Sequence, residues 1–333
     1  FSNTRWLSES EIKSKKKFTR EALGLHKKGR WDKIVDIKKC HLQDDISNTI
    51  RNQIKKFAIE NEIDFFDPYK NKGLLKSLMI KITSTKNIMV LLQFGSKSDF
   101  IYELLSFLKK SFQNINSILY VINSKPNDSI YDQKVNLFFG KDYIIEEMCG
   151  LRFKISAKTF FQTNSIQAEK LFYLVKKFLE PNKNDILYDL YTGIGTIGQI
   201  LSKDVKKVIG IDVVEDSISY ATENSKLNNL SNTKYFAGNM KDVFTEDFIK
   251  QNGKPSVSII NPPREGIDKK VIEKIIDILP KKIVYVSCNS STLARDLVIF
   301  EKKYEISKLQ TVDMFPHTSH VENVVLLKKI INV

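Results

Sequence analysis

From Ile186 to the end of the chain, short apolar runs alternate with amphipathic stretches in a fixed order, and this alternation constrains the fold more than any other feature. It predicts strands over Ile186–Leu190, Lys207–Val213, Lys234–Ala237, Val257–Ile260 and Ile283–Ser287, with helices after Gly195 and over Asp216–Leu227, Lys269–Ile278 and Ser291–Glu301. Apolar strands separated by helices require a parallel sheet covered on both faces. Two last runs, Ile306–Met314 and Asn323–Lys328, follow one another without a helix, which predicts an antiparallel pair closing the sheet. A helix over Ser165–Leu179 precedes the first strand and ends before Pro181.

Ahead of this region the signals mix. A helix is predicted over Ile46–Ile63, a hairpin from Leu78–Ile82 and Ile88–Phe94 across Thr85-Lys86-Asn87, an amphipathic helix over Phe100–Phe112 and a strand over Ser117–Ile122. The expected organisation is an α+β domain over residues 1–155, followed by an α/β, Rossmann-like domain over residues 156–333. With 333 residues, 42% of them hydrophobic, the chain can fill two cores. No apolar run approaches the roughly 20 residues needed to span a bilayer, so no membrane is expected. Cys40, Cys149 and Cys288 are too few for a disulfide framework, which fits a reducing, cytoplasmic setting.

Charge points to a polyanion. The net charge is +14, and Phe1 to Lys39 holds 12 Lys/Arg against 5 Asp/Glu, an excess of 12 − 5 = 7. Phe18, His26 and Trp31 are interleaved among Lys13, Lys15, Lys16, Lys17, Arg20, Lys27, Lys28 and Arg30. Aromatic residues among cations suit stacking on unpaired bases while phosphates are neutralised. A composition biased towards Lys, Asn and Ile explains the charge equally well.

Directly after the first predicted strand stands Asp189-Leu-Tyr-Thr-Gly193-Ile-Gly195-Thr-Ile-Gly198, and the second strand ends in Ile211-Asp212. Such glycines let a turn approach a ligand, and a carboxylate at the neighbouring strand tip can take ribose hydroxyls. The pattern fits NAD, or a tight turn with no ligand. Asp189 favours S-adenosylmethionine, because a carboxylate there would face a cationic group and repel a pyrophosphate.

Ligands of open α/β sheets collect beyond the carboxyl ends of the strands. The fourth predicted strand runs into Asn261-Pro-Pro-Arg264, and the fifth into Ser287-Cys288-Asn289 at the start of a helix. A thiol beside a helix N-terminus is expected to have a lowered pKa, which would make Cys288 a nucleophile. The bland reading is a small buried residue capping a strand. Phe315-Pro-His317-Thr-Ser-His320-Val-Glu322 supplies a candidate base from a loop. Its two histidines have no further ligand at zinc spacing.

These segments, together with Lys158-Thr-Phe-Phe-Gln162-Thr-Asn164, resemble in order the motifs of the RNA uracil-5-methyltransferases, over almost all of the chain from Lys158 onward. The branch acting on 23S ribosomal RNA is the most similar. The resemblance implies a class I S-adenosylmethionine-dependent methyltransferase domain and an N-terminal RNA-recognition domain. It implies that Cys288 adds to C6 of uracil, that C5 takes the methyl group, and that Glu322 removes the C5 proton. It further implies that Gln162, Asp189, Tyr191, Gly193, Gly195, Asp212 and Asn261 hold the methyl donor, and that Asn261, Arg264, Asn289 and His317 address the substrate. Chemically, C5 is a poor nucleophile until a bond at C6 pushes electron density onto it.

Two departures stand out: Asn261 where many relatives carry Asp, and Thr192 where a cysteine is common, the latter expected to be without consequence. Cys40, in Asp36-Ile-Lys-Lys-Cys40-His-Leu, resembles the last of four iron–sulfur ligands in many relatives. The other three, and a small β-barrel, would lie upstream of Phe1, so a cluster is expected only in a full-length protein and no metal in this chain. The expected partner is RNA, large-subunit ribosomal RNA before transfer RNA, with no protein partner. Competing readings are an amino-group methyltransferase, since Asn-Pro-Pro also marks those enzymes although Arg264 stands where they carry an aromatic residue; a cytosine-5 methyltransferase, against the lack of a cysteine at the fourth strand tip; and a non-catalytic RNA-binding assembly factor.

Overall fold

The structure, a computed structural model, describes residues 1–14 and 16–331. It divides into two compact units, residues 1–144 with 156–158 and residues 145–155 with 159–333. No helix among the described residues is long and apolar enough to cross a membrane.

In the first unit, the strands Leu75–Ile82, Ile88–Phe94, Ile115–Ile122 and Asn136–Gly140 form one sheet in that order. The first two make the predicted antiparallel hairpin, and the second and third run parallel, joined through the helix Phe100–Ser111. That helix and Asp45–Glu60 turn their apolar stripes inward. Ile50, Ile54, Leu104, Leu105 and Leu108 are fully buried, and Phe57 stacks on Phe107 at 4.6 Å. A short hairpin, Gly24–His26 with Ile34–Asp36, was not legible in the sequence because its strands are only three residues long.

The second unit is built on seven strands: β1 Ile186–Leu190, β2 Lys207–Asp212, β3 Thr233–Ala237, β4 Val257–Ile260, β5 Lys282–Ser287, β6 Tyr304–Val312 and β7 Glu322–Lys329. Their order across the sheet is β3-β2-β1-β4-β5-β7-β6. The first five strands are mutually parallel, while β7 is antiparallel to both β5 and β6. Every residue of β4 is buried, as a strand covered on both faces requires. Its helices include α1 Ser165–Leu179, α2 Thr196–Leu201, α3 Glu215–Leu227, α4 Lys269–Ile278 and α5 Ser290–Phe300. Helix α1 ends in a left-handed Glu180 directly before Pro181, which cannot continue a helix.

The strands Tyr143–Met148 and Leu151–Ser156 pair with each other, and residues 145–155 belong to this second unit. The outer strand leans on α3. Arg152 N donates to Asn228 Oδ1 at 2.9 Å and Lys154 N to Asn224 Oδ1 at 2.7 Å, so side chains of α3 and its C-cap take backbone N–H groups of this strand.

Candidate active site

The carboxyl ends of the parallel strands gather the glycine turn, the proline tip and the cysteine along one edge. The glycine turn is organised by Asp189. Its Oδ2 accepts from the Thr192 hydroxyl at 2.7 Å and from Gly198 N at 3.0 Å, and the residue is 1% exposed. Burial pushes its carboxyl up to about 6, against the pull of those two bonds. Asp189 therefore frames the turn from within. Thr192, expected to be without consequence, donates one of the bonds that hold it. Gly198 must be glycine, because a Cβ would stand 2.9 Å from Asp189 Oδ2 and 2.8 Å from Val208. At Gly193, φ is +55° and a Cβ would meet nothing within 4 Å, so the backbone here faces open space. Gly193 N donates to Asp212 Oδ2 at 2.8 Å, and Asp212 Oδ1 accepts from Val214 N at 3.0 Å, which fixes the carboxylate at the tip of β2.

A cavity of about 760 Å³ opens beside this turn. Its walls include Tyr191, Val213, Gly238 and Pro263, which follow β1, β2, β3 and β4 in turn. Tyr191 holds a left-handed φ of 63°, an uncommon conformation for a tyrosine, and burial pushes its hydroxyl up to about 12. Sequence reasoning missed Val213, Asn239 and Met240, which also line the cavity. The available signal was position, since each follows a strand tip.

The residues present fit S-adenosylmethionine. Open backbone at Gly193, a carboxylate at the β2 tip for ribose hydroxyls, and a mostly apolar cavity with exposed Val213 form the surface an adenosyl group needs. Gln162 is half-buried ahead of α1. The neighbouring Asn164 caps α1 by accepting from Gln167 N at 3.2 Å and donates through Nδ2 to Met314 O at 2.9 Å, which ties this segment to the loop after β6.

Beyond the proline tip the chemistry becomes denser. Asn261 extends β4 beside β1, its N donating to Leu190 O at 3.3 Å, with a half-buried side chain. The loop that follows is pinned by the fully buried Asp296, which accepts from Ile267 N at 2.8 Å, the Tyr285 hydroxyl at 2.7 Å and Arg295 Nε at 2.8 Å. This fixes the base of the loop that carries Arg264. Asn289 clamps the same loop to the cysteine. Its Nδ2 donates to Arg264 O at 3.1 Å, while its Oδ1 accepts from Ser291 N at 3.0 Å as the N-cap of α5. Both ends of the Asn289 side chain are thus engaged within the protein.

Cys288 lies between Ser287 and Asn289, which exchange hydrogen bonds around it: Ser287 Oγ donates to Asn289 O at 3.0 Å and accepts from Asn289 N at 3.1 Å. The antiparallel register of β5 and β7 pairs Ser287 with Asn323, and Asn323 Nδ2 donates to Ser287 O at 3.3 Å. Cys288 and Glu322 each lie one residue beyond this last pair of the register. The expectation of a lowered thiol pKa is corrected here. Burial, and then the charge of Glu322, push the Cys288 thiol up, while Arg264 opposes them by charge and hydrogen bonding. Cys288 precedes the N-cap Asn289, whose own side chain takes a helix N–H. Burial also pushes Glu322 up to about 7, again opposed by Arg264. Two weak acids and one guanidinium therefore share this strand end. Arg264 itself is exposed, and so is His317, in the loop between β6 and β7 with a left-handed φ of 68°.

Cys40 sits in the first unit, its N donating to Asn48 Oδ1 at 2.8 Å and its O accepting from Asn48 Nδ2 at 3.2 Å. Among the described residues no group of three or more His, Cys, Asp or Glu could hold a metal ion.

Comparison with known proteins bears on this geometry. The sequence profile of the tRNA (uracil-5-)-methyltransferase family matches residues 129–330. An uncharacterized RNA methyltransferase of Bacteroides thetaiotaomicron is 44% identical over 333 residues, covering 98% of this chain and 73% of that protein. One of Porphyromonas gingivalis is 45% identical over 336 residues, covering 98% of this chain and 72% of that protein. Among solved structures, the Pyrococcus abyssi tRNA (uracil-54, C5)-methyltransferase in complex with S-adenosyl-L-homocysteine matches with a TM-score of 0.75 at 30% identity, covering 90% of this chain and 71% of that one.

Proposed function

As the chain belongs to the tRNA (uracil-5-)-methyltransferase family and is an S-adenosylmethionine-dependent RNA methyltransferase, we propose that it methylates C5 of one uridine through a covalent bond from Cys288 to C6. The observation that carries this reading is the end of the β5–β7 register, where Cys288 and Glu322 each follow one residue beyond the last pair and the charge of Glu322 acts on the thiol.

In this mechanism the target uridine leaves its stack and enters at the strand tips, with the Asn261 carboxamide on the uracil edge. Arg264 stabilises the thiolate of Cys288, which adds to C6 and pushes electron density onto C5. S-adenosylmethionine, held by Gln162, Tyr191, Gly193, Gly195 and Asp212 on a turn framed by Asp189, supplies the methyl group. Glu322, as carboxylate, takes the C5 proton, C5–C6 unsaturation returns and the thiolate leaves C6. Asn289 acts by holding Arg264 and Cys288 in mutual position, and His317 meets the RNA from the rim.

Large-subunit ribosomal RNA is the proposed substrate, supported by the sequence around Cys40. Transfer RNA is a second reading, supported by the similarity to the Pyrococcus abyssi enzyme. Incubation with labelled methyl donor and separate unmodified transcripts of 23S ribosomal RNA and transfer RNA, followed by digestion to nucleosides, tests both. Label in 5-methyluridine from the ribosomal transcript alone is the expected result. Label from transfer RNA alone selects the second reading, and no 5-methyluridine from either would overturn the function.

A further inference from the structure

Trp31 and Tyr69 stand side by side on the first unit, 67% and 61% exposed, with ring centroids 5.5 Å apart and planes inclined at 62°. Each ring is carried by a tight loop. Trp31 lies in the loop of the Gly24–His26 and Ile34–Asp36 hairpin, where Lys27 N donates to Lys33 O and Arg30 N to Lys27 O, both at 2.8 Å. Tyr69 lies in a loop closed by Asp67 N donating to Lys72 O at 2.6 Å, and Tyr69 N donates to Asp67 Oδ1 at 3.0 Å.

Two large aromatic rings left in water contribute nothing to the core, yet this pair is held in place. The carboxylate of Asp32, 3% exposed, accepts the Tyr69 hydroxyl and both Nε and Nη2 of Arg30, each of the latter at 2.8 Å. The Thr4 hydroxyl in turn donates to the Asp32 carbonyl. The two loops hold six cations, Lys27, Lys28, Arg30, Lys33, Lys70 and Lys72, against the two acids Asp32 and Asp67, an excess of 6 − 2 = 4. Rigid exposed rings among cations match the chemistry of single-stranded RNA, in which every base offers a π-face and every linkage a phosphate.

We propose that Trp31 and Tyr69 form a stacking platform for an unpaired base of the RNA substrate, with the surrounding Lys and Arg side chains neutralising the phosphates on either side. The platform rests on the reading of the protein as an RNA methyltransferase and adds to it a specificity element outside the methylation pocket. The inclined rings make a notch in which a base stacks on one ring and meets the edge of the other. Asp32 sets the notch by fixing the Tyr69 ring and the Arg30 side chain together.

The test uses the complete chain with Trp31→Ala and Trp31→Phe. Binding of a short labelled single-stranded RNA, binding of the same RNA in a duplex, and methylation kinetics on whichever transcript the parent modifies are measured together. Trp31→Ala is expected to weaken single-strand binding and raise the KM for RNA about tenfold, the size of one lost aromatic–base stack. The kcat at saturating RNA and the affinity for S-adenosylmethionine stay unchanged, and Trp31→Phe recovers most of the loss. Tryptophan emission of the parent is quenched by the single strand, and this quench is largely lost in Trp31→Phe. A Trp31→Ala protein that binds and methylates RNA like its parent overturns the platform and leaves the notch as a seat for protein. A parent that methylates no RNA sinks the functional reading instead, so the two failures are distinct.

Discussion

Glu322 opens β7 one residue beyond the Ser287–Asn323 pair, and its negative charge is felt at the sulfur of Cys288. The thiol and the carboxylate thus stand at the ends of two adjacent strands, and Arg264 favours the charged form of both.

The first consequence is electrostatic. Burial comes first and the charge of Glu322 second in holding the thiol up, so removing that charge lets the thiol ionise at lower pH. Glu322→Gln is predicted to move the pH profile of Cys288 alkylation, followed peptide by peptide to separate Cys40 and Cys149, towards acid. Arg264→Ala is predicted to move it towards alkali. Shifts in the same direction would contradict the arrangement.

A second consequence concerns stability. Glu322 titrates at about 7 in the folded chain against an ordinary value of 4.5. Between these values the folded state binds more protons than the unfolded one, so this group's contribution is complete below about 4.5 and is lost as pH rises through about 7. Glu322→Gln is therefore expected to melt above the parent at pH 8, with the gap shrinking towards pH 5. A gap that is constant across this range would mean that Glu322 is not buried as described.

Asn289 offers a separation of two roles. Replacement by Ala removes the α5 cap, at a cost of about 1 kcal/mol, together with the bond to Arg264 O. Asn289→Asp keeps an acceptor for Ser291 N and loses the donor to Arg264. Thermal melts and kcat, compared across the two variants, are expected to show stability recovering in the Asp variant while kcat stays about tenfold down, because the proline loop is no longer clamped to the cysteine. Full recovery of both would reduce Asn289 to a cap.

How much of this was legible in the sequence follows from the range of the interactions concerned. Strand positions in the second unit follow from local apolar periodicity, and Lys269–Ile278 and Val257–Ile260 fall where that periodicity puts them. The glycine turn was equally local, because Asp189, Gly193 and Gly198 act within one strand–turn–helix segment. The neighbourhood of Glu322 was not legible, since it depends on β7 inserting between β5 and β6, and a pairing order leaves no local trace. The thiol's raised pKa was missed for a related reason: the helix dipole is visible in sequence, whereas burial and a carboxylate on another strand are not. The bond from Thr192 to Asp189 was not legible either, because Asp189 is hidden in the core. Trp31 and its cations were visible in sequence as a cluster, but Tyr69, its aromatic partner, comes from a distant loop.

In the proposed reaction Cys288 bonds covalently to the RNA and is released only when Glu322 removes a proton. The direct measurement is denaturing electrophoresis of Glu322→Gln, parent and Cys288→Ala after incubation with S-adenosylmethionine and labelled substrate RNA. A stable protein–RNA adduct carrying a transferred methyl group is expected in Glu322→Gln, little in the parent and none in Cys288→Ala. An adduct that persists in Cys288→Ala, or an active Glu322→Gln enzyme that turns over without accumulating one, would contradict the proposed reaction.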